Sequence, residues 1–373
     1  MIPVFEPDFG EEEIASVVAA LRRGEISGSF GSAIKEFEEG FAAFSGCSYG
    51  VAVTSGTTAL HLAVAALDLE PGDEVLLSSS TNIATALAII YANAVPVPVD
   101  SERDTWNLDL DLIEDLITPR TRAIIPVHLF GHPVDMDRLN QIAKKYNLVV
   151  IEDCAEAHGA KVRGRMVGSF GDMSCFSFYA NKVITTGEGG MVVTNDARLA
   201  ERLRLLRNLA FTTPRYWHER AGFNFRMTGF QAAFGVAQLK KIDSIIEKKR
   251  SVAQRYSRAL ADVPGLQLPA EKHWAFNVYW MYALTVGPEY GLSRNELAAH
   301  LKARGIDTRT FFCPMNQQPC LQERPGYRAV ACPVADEIWE TGLYLPSSTT
   351  LTEAEITTVC DEITHAATSA KAS

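Results

Sequence analysis

Five short apolar segments alternate with helical patterns between residues 49 and 153, and this order constrains the fold more than any other feature of the chain. The apolar segments are residues 49–54, 74–78, 95–100, 123–129 and 148–153. Helical patterns fill the intervals, at residues 58–67, 83–91, 110–117 and 136–146. Strands that are apolar throughout are buried on both faces, so the pattern predicts an α/β fold built on a largely parallel sheet.

The pattern changes after the fifth apolar segment, which predicts a second and smaller α/β unit. Two strand candidates at residues 173–178 and 192–194 lie close in sequence, so antiparallel pairing is expected there. A helical region and then a strand, a helix and a strand follow, at residues 228–261, 278–286, 295–304 and 308–312. A chain of 373 residues exceeds the size of most single cores. We therefore predict two domains, residues 1–245 and 246–373.

Charge and cysteine usage narrow the classes of partner. The chain has 35 Lys and Arg residues against 45 Asp and Glu, for a net charge of −10. This balance argues against a nucleic-acid or anionic-membrane partner and still allows a local site for a phosphate group. The seven cysteines form no Cys-x-x-Cys pair, and the first residues show no signal-peptide pattern. We therefore expect a cytoplasmic protein.

The longest apolar stretch runs over residues 83–99 and is interrupted by Asn93, Pro96 and Pro98. A membrane-spanning helix needs about 20 predominantly apolar residues. The stretch is better interpreted as a buried helix that leads into a strand.

A lysine lies at the end of an apolar strand candidate and faces a glycine-rich loop. The segment Ser177–Lys182 is followed closely by Thr186–Gly190. A lysine in such a place loses its charge by desolvation and becomes a nucleophile toward carbonyl carbons, which indicates Schiff-base chemistry. The alternatives are a solvated surface lysine and a plain hairpin turn at the glycines.

Two further segments lie at the carboxyl ends of predicted strands, where parallel sheets bind ligands. Ser55-Gly-Thr-Thr58 opens a helix, so its N–H groups and hydroxyls would suit a phosphate; the alternative is a capped strand-to-helix turn. Glu152-Asp-Cys-Ala-Glu156 ends the fifth apolar segment. Asp153 there would pair with a protonated ring nitrogen, and the alternative is an acidic surface cluster that caps the next helix.

Other motifs favour less specific interpretations. His128 and His132 flank Gly131 without a third ligand at metal-site spacing, so we predict local hydrogen bonds and no metal. The aromatic-rich segment around Asn224 is compatible with a packed loop. No Gly-x-Gly-x-x-Gly follows the first strand candidate, which argues against a nicotinamide-dependent oxidoreductase.

A phosphate cradle, a ring-pairing aspartate and a carbonyl-reactive lysine are together the parts that a pyridoxal phosphate site requires. In sequence these segments, with Gly222–Thr228, resemble the signatures of the DegT/DnrJ/EryC1/StrS family of sugar aminotransferases. The resemblance extends from about Pro3 to about Ile363 through five ordered motifs. Within the family, residues 178–190 and Arg215–His218 are most similar to the GDP-perosamine synthases.

The resemblance implies an aspartate-aminotransferase-like fold of type I, with a mostly parallel seven-stranded sheet in the large domain. It also implies a homodimer whose two active sites lie at the subunit interface. By position, Lys182 would bind the pyridoxal phosphate covalently, and Asp153 would pair with its pyridine nitrogen. The phosphate would be held by residues of both subunits, namely Gly56, Thr57 and Ser177 of one and Asn224 of the other.

Four more positions are assigned through the resemblance. Glu156 would lie near the ring hydroxyl of the cofactor, where the GDP-perosamine synthases also have glutamate. Asn82 would lie on the cofactor ring, where the family usually has a stacking aromatic residue. Glu25 and Asn316 also depart from the pattern, at positions where a tryptophan and a histidine are expected, and both are assigned to the substrate side. His158 is assigned to that side as well.

The implied reaction moves an amino group from L-glutamate to the C4 keto carbon of GDP-4-keto-6-deoxymannose, in the synthesis of cell-surface polysaccharides such as O-antigen. The three departures leave another keto-sugar open, for example the 8-oxo form of ketodeoxyoctulosonate, which carries no nucleotide. The family also has a dehydratase branch in which histidine replaces the lysine, and Lys182 argues against it. A non-catalytic regulator on the same fold is the remaining alternative.

Overall fold

The structure is a computed structural model that describes residues 1–214 and 216–372, with side chains as far as residue 368. Arg215, the first residue of the Arg215–His218 motif, lies outside the described residues.

The strands of the described chain fall into three sheets. In chain order the strands are β1 Tyr49–Val53, β2 Glu74–Ser78, β3 Val95–Val99, β4 Thr121–Ile125, β5 Val149–Asp153, β6 Lys161–Val162, β7 Arg165–Met166, β8 Met173–Ser177, β9 Gly190–Thr194, β10 Leu266–Gln267, β11 Ala275–Phe276, β12 Tyr282–Val286, β13 Arg309–Thr310 and β14 Gly342–Leu345. The helices are α1 Glu11–Arg22, α2 Ala33–Phe44, α3 Gly56–Ala65, α4 Ala84–Tyr91, α5 Ile113–Leu116, α6 Met136–Tyr146, α7 Ala197–Arg207, α8 Gly229–Lys240, α9 Ile242–Leu260, α10 Arg294–Ala303, α11 Pro319–Gln322, α12 Pro333–Thr341 and α13 Glu353–Ala372.

The largest sheet has seven strands in the order β1-β9-β8-β5-β4-β2-β3. Its neighbours from β8 to β3 are parallel, and β9 runs antiparallel to both β8 and β1. Cys175 pairs with Val192 in the antiparallel register, which confirms the pairing expected for the two strands that lie close in sequence. The predicted α/β class with a mostly parallel seven-stranded sheet is confirmed.

The sheet is buried on both faces, as its uniformly apolar strands predict. Val75 and Leu77 belong to one hydrophobic cluster, and Leu76 between them belongs to another, because successive side chains of a strand point to opposite faces. A third cluster contains Tyr256, Tyr282 and other residues from the C-terminal third of the chain.

The C-terminal strands form a separate four-stranded antiparallel sheet in the order β10-β12-β14-β13. The strand predicted at 278–286 begins only at Tyr282, because Tyr279 has a φ of +49°, a left-handed conformation that no strand accommodates. The helix predicted at 228–261 is divided at Lys241 into α8 and α9. Helix α9 runs through residue 245, and the domain boundary there stays a prediction.

The carboxyl ends of β2, β4, β5 and β8 meet at one edge of the seven-stranded sheet, where α3 and α4 also begin. This edge is where parallel sheets bind ligands. Among the helices of the described residues, none is long and apolar enough to cross a membrane.

Candidate active site

A cavity of about 310 Å³ opens at this edge of the sheet. Its lining includes seven residues that the sequence assigned to a cofactor site: Gly56, Thr57, Asn82, Asp153, Glu156, Ser177 and Lys182. These residues are separated by up to 126 positions in the chain and are brought together by the sheet topology. A larger cavity, of about 500 Å³, lies beside α9, and none of these seven residues lines it.

Lys182 is mostly enclosed by the protein and is not a solvated surface lysine. Its side chain is 11% exposed, and its Nζ lies 3.9 Å from Oε1 of Glu156. Burial lowers the pKa of the Lys182 ammonium, and the carboxylates of Glu156 and Asp153 act in the opposite direction. A lysine whose pKa is lowered has a larger neutral fraction, which is the form that attacks carbonyl carbons.

The glycine-rich loop that follows Lys182 allows two segments to approach closely. A Cβ on Gly190 would lie 2.2 Å from the carbonyl oxygen of Ser55, at the start of α3. A Cβ on Gly189 would lie 2.2 Å from Oγ1 of Thr186, whose hydroxyl donates to the carbonyl of Glu188. The loop does connect an antiparallel pair, as the hairpin interpretation proposed, and its glycines also bring that pair against α3.

Asp153 is the last residue of β5 and has a fixed orientation. Its carboxylate accepts hydrogen bonds from Oγ1 of Thr85 at 2.8 Å and from the N–H of Ala155 at 3.1 Å. Burial raises the pKa of Asp153, and these two donors oppose that rise. Thr85 was missed in the sequence, because a threonine in a helical pattern carries no signal of a buried partner.

Glu156 is 4% exposed and lines the same cavity as Lys182. Its Oε2 accepts a hydrogen bond from the N–H of Phe130 at 2.9 Å. Burial raises the pKa of Glu156 to about 7, so the group is poised between its neutral and charged forms near neutral pH.

The start of α3 forms a cradle against Ser177. Oγ of Ser55 accepts a hydrogen bond from the N–H of Thr58 at 3.1 Å and so caps the helix. A Cβ on Gly56 would lie 2.6 Å from Cβ of Ser177, so only glycine allows this approach. The first N–H groups of a helix lack partners within it and attract anions, so Gly56, Thr57 and Ser177 fit a phosphate group. Capping and phosphate binding are compatible here.

The residues present therefore fit pyridoxal phosphate. The cradle at α3 suits its phosphate, the buried Asp153 carboxylate suits a protonated pyridine nitrogen, and Lys182 suits its aldehyde. Each of the three groups lines the same cavity.

Asn82 lines the cavity but is exposed, and its Oδ1 accepts a hydrogen bond from the N–H of Ala84 at 3.0 Å. Aromatic side chains line the cavity from the C-terminal part of the chain instead: Trp280, Phe312 and Tyr344. They were missed because they lie about 100 or more positions beyond the lysine, and no local pattern connects them to it.

The structure places the remaining predicted residues outside the cavity lining of this chain. Asn224 is exposed and forms a short bridge with Asn208. Glu25 is buried, where it pairs with Arg23 and accepts a hydrogen bond from the N–H of Ser32, and these interactions lower its pKa. Asn224 is predicted to act at the active site of the partner subunit and Glu25 on the substrate side, and both assignments stay predictions.

His158 and Asn316 both contact other side chains of the protein. His158 is fully buried against the rings of Phe41, Phe176 and Phe178, and burial lowers its pKa to about 3. Oδ1 of Asn316 accepts a hydrogen bond from Oγ of Ser79, and its amide donates to Asp336. Both side chains are held by protein neighbours, and their assignment to the substrate side stays a prediction.

The histidines form local hydrogen bonds. Nε2 of His128 lies 3.1 Å from the Glu152 carboxylate, and its Nδ1 accepts from the N–H of Val134. Cys154 is near enough to complete a set of possible metal ligands with His128 and Glu152. Glu152 already accepts hydrogen bonds from three backbone N–H groups and a serine hydroxyl, namely those of Gly168, Phe170, Gly171 and Ser174. A saturated carboxylate is better explained as a structural anchor.

Comparison with known proteins shows the family to which the chain belongs. The sequence model of the DegT/DnrJ/EryC1/StrS aminotransferase family matches residues 7–364 of the chain. The chain is 41% identical to GDP-perosamine synthase of Escherichia coli O157:H7 over 97% of each chain, and 44% identical to that of Caulobacter vibrioides over 88% of each chain. Its fold is similar to that of S. venezuelae DesV, solved in complex with ketimine intermediate, with a TM-score of 0.89, 39% identity and coverage of 95% of this chain and 94% of DesV.

These likenesses extend over most of the chain. The predicted cofactor, fold and enzyme class are confirmed by them. The chain belongs to the DegT/DnrJ/EryC1/StrS family of pyridoxal phosphate-dependent sugar aminotransferases.

Proposed function

We propose that this enzyme transfers the amino group of L-glutamate to a nucleotide-linked 4-keto-6-deoxyhexose, with GDP-4-keto-6-deoxymannose as the first candidate. The observation that carries the proposal is the convergence of Lys182, Asp153 and the α3 cradle on one cavity. The two relatives named GDP-perosamine synthase support the choice of sugar. Such a reaction would serve the synthesis of cell-surface polysaccharide, and a cytoplasmic location stays a prediction.

Asp153 and Lys182 each have a defined task in this proposal. Pyridoxal phosphate, when bound, supplies an electron-withdrawing ring that makes the Cα proton of an amino acid acidic. The Asp153 carboxylate holds a proton on the pyridine nitrogen through a charge-assisted hydrogen bond. Lys182, when its amine is neutral, would take the proton from Cα of the donor as a general base and would deliver it, as a general acid, to the carbon that carries the aldehyde of the free cofactor.

Glu156 and the aromatic residues set the conditions for this proton transfer. The Glu156 carboxylate, 3.9 Å from Nζ of Lys182, favours the ammonium form and so determines how readily the lysine gives its proton away. The aromatic rings of Trp280, Phe312 and Tyr344 contribute apolar surface to the cavity lining. Exclusion of water there strengthens the electrostatic interactions of the buried charges.

We also propose that two copies of the chain share their active sites. Among the described residues that line the cavity, Lys182 carries the one positive charge, against the acidic side chains of Asp153, Glu156 and Glu188. Glutamate and a nucleotide diphosphate are both anionic, so binding them needs cations or donors from elsewhere. Asn224 is exposed, and the exposed rings of Phe211 and Trp217 lie in the preceding segment. A second copy would cover this apolar surface and bring Asn224 to the partner's cavity.

The substrate proposal is tested with half-reactions. The purified enzyme, loaded with cofactor, is treated with L-glutamate, and the amino form is then offered keto-sugars one at a time. The panel is GDP-4-keto-6-deoxymannose, a dTDP-linked 4-keto-6-deoxyhexose and 8-oxo-ketodeoxyoctulosonate. We expect the GDP-linked sugar to be aminated at C4 with the highest kcat/KM. Amination of the sugar without a nucleotide in preference to both others would overturn the proposal, and the Lys182→Ala variant provides the inactive control.

A further inference from the structure

Trp280 contacts the segment of the reactive lysine in two ways. Nζ of Lys182 lies 3.8 Å from the centroid of the Trp280 ring, in the geometry of a cation–π interaction. The indole Nε1–H donates a hydrogen bond of 2.6 Å to the carbonyl oxygen of Asn181. One side chain therefore holds both the lysine amine and the backbone next to it, although 98 positions separate the two residues.

The position of Trp280 is itself fixed from two sides. Nζ of Lys249, in α9, donates to the carbonyl oxygen of Trp280 at 2.9 Å and to that of Ser347 at 2.6 Å. The ring of Phe130 lies nearly parallel to the indole, with an angle of 15° between the planes. Trp280 is 2% exposed, so its indole cannot turn away without disturbing these neighbours.

We propose that Trp280 is a positioning residue for Lys182: its indole face holds the lysine amine whenever that amine is not bonded to the cofactor. This inference rests on the proposed role of Lys182. During amino transfer the lysine is released and must stay within reach of the reacting atoms. The indole face attracts an ammonium group but has no basic atom, so it can hold the lysine without taking its proton.

The other polar groups near the lysine act differently from the indole. Glu156 and Asp153 are ionisable acids, Glu188 lines the cavity from the glycine-rich loop, and the Tyr344 hydroxyl comes from β14. The acids exchange protons with the lysine or attract it as charges. Trp280 provides both the ring face and the hydrogen bond to the carbonyl oxygen of Asn181, so Trp280→Leu removes both. Trp280→Phe removes only the hydrogen bond and keeps a ring face, so the two variants separate the two contacts.

The test measures the pKa of Lys182 in the full chain without cofactor. Trace acetylation is carried out over a range of pH, and the extent of reaction at Lys182 is read by peptide mass spectrometry. In Trp280→Leu the ammonium loses the ring, so its pKa should fall by about one. Trp280→Phe keeps a ring face and should restore most of the wild-type pKa. Trp274→Leu, which changes a tryptophan outside the cavity lining, should leave the pKa unchanged.

A second readout uses the enzyme loaded with cofactor. Trp280→Leu should lower kcat about tenfold and change KM for glutamate little, because the defect concerns the released lysine and not donor binding. A wild-type pKa of Lys182 in Trp280→Leu, or an equal fall in Trp274→Leu, would overturn the inference. If Trp280→Leu does not fold, Trp280→Phe decides: loss of the wild-type pKa in that variant would also contradict a role for the ring face. Failure to trap cofactor on Lys182 would instead defeat the proposed function itself.

Discussion

At the scale of single residues, the hydroxyl of Thr85 connects a helix to the carboxylate that the proposal places on the cofactor ring. The hydrogen bond from Oγ1 of Thr85 to Asp153 is 2.8 Å long, and both side chains are buried. A buried hydrogen bond to a charged group stabilises a protein by about 1.5–3 kcal/mol. The same bond favours the ionised carboxylate and keeps it in one orientation.

Replacing Thr85 by valine removes this donor at nearly constant volume. We expect Thr85→Val to raise the pKa of Asp153 further and to lower kcat about tenfold, because a less ionised carboxylate holds the ring proton less well. Steady-state kinetics with glutamate measure the effect. Thr85→Ser keeps the hydroxyl and should retain kcat within a factor of about three; a serine variant as slow as the valine variant would contradict the role of the hydrogen bond.

Glu156 gives the folded chain a distinct pH dependence. Burial raises its pKa from 4.5 to about 7, so between these values the folded chain binds more protons at this group than the unfolded chain does. The free energy of unfolding should therefore fall as pH rises from about 5 to 7, with a slope of up to about 1.4 kcal/mol per pH unit from this group. Stability is greatest for this group when the carboxyl is neutral.

Urea unfolding of the wild type and of Glu156→Gln, both without cofactor, tests this sign. The amide is neutral at every pH, so the difference in free energy of unfolding between wild type and variant should decrease from pH 5 to pH 7 and level off above it. Parallel curves for the two proteins would show that Glu156 titrates normally in the folded chain.

At the scale of elements, the start of α3 depends on a contact that only glycine permits. A Cβ at position 56 would lie 2.6 Å from Cβ and 3.0 Å from Oγ of Ser177, so Gly56→Ala should push α3 away from β8. Overpacking of this kind costs about 1–3 kcal/mol. We expect Gly56→Ala to lower the free energy of unfolding by this amount and to weaken the binding of pyridoxal phosphate at least about tenfold.

Equilibrium dialysis with pyridoxal phosphate and urea unfolding measure the two effects. The matched control is Gly10→Ala, because a Cβ at Gly10 meets no atom within 4 Å and its φ of −151° suits any residue. The control should bind cofactor as the wild type does. Normal cofactor binding by Gly56→Ala would show that the close approach of α3 to Ser177 is not needed to bind the phosphate.

The same elements show how far the sequence reaches. The strands of the seven-stranded sheet were predictable because burial on both faces leaves short apolar segments, such as the Val-Leu-Leu centre of β2. Boundaries were less predictable where the backbone departs from a regular path: Tyr279 with its positive φ shortens β12, and Lys241 separates α8 from α9. Such local conformations depend on tertiary contacts that apolar periodicity does not encode.

At the scale of the whole molecule, the C-terminal part of the chain closes the cavity that the N-terminal sheet begins. Lys182, Asp153 and Ser177 were identified from motifs because each lies at or just beyond the end of a recognisable strand. Trp280 and Tyr344 were not, because their approach to the lysine is a product of the complete fold. The residues of the site that belong to local motifs can therefore be predicted from the sequence, and the residues contributed by distant segments cannot.

Shared active sites predict complementation between two inactive variants. A site needs Lys182 of one chain and Asn224 of the other, so Lys182→Ala and Asn224→Ala homodimers should both be impaired. After unfolding and refolding of an equal mixture, half of the dimers are mixed and each has one intact site, which predicts about a quarter of wild-type activity. No gain in activity on mixing, with mixed dimers verified by native mass spectrometry, would place Asn224 in its own chain's site or outside it.

The central claim is that Lys182 is the residue that binds the cofactor covalently. The most direct measurement reduces the pyridoxal phosphate-loaded enzyme with borohydride, digests it and locates the added phosphopyridoxyl mass by peptide sequencing in a mass spectrometer. The account predicts the mass on Lys182 in the wild type and its absence from Lys182→Ala, a variant that keeps wild-type circular dichroism. The mass on another lysine, such as the buried Lys249, or a wild-type protein that takes up no cofactor, would contradict it.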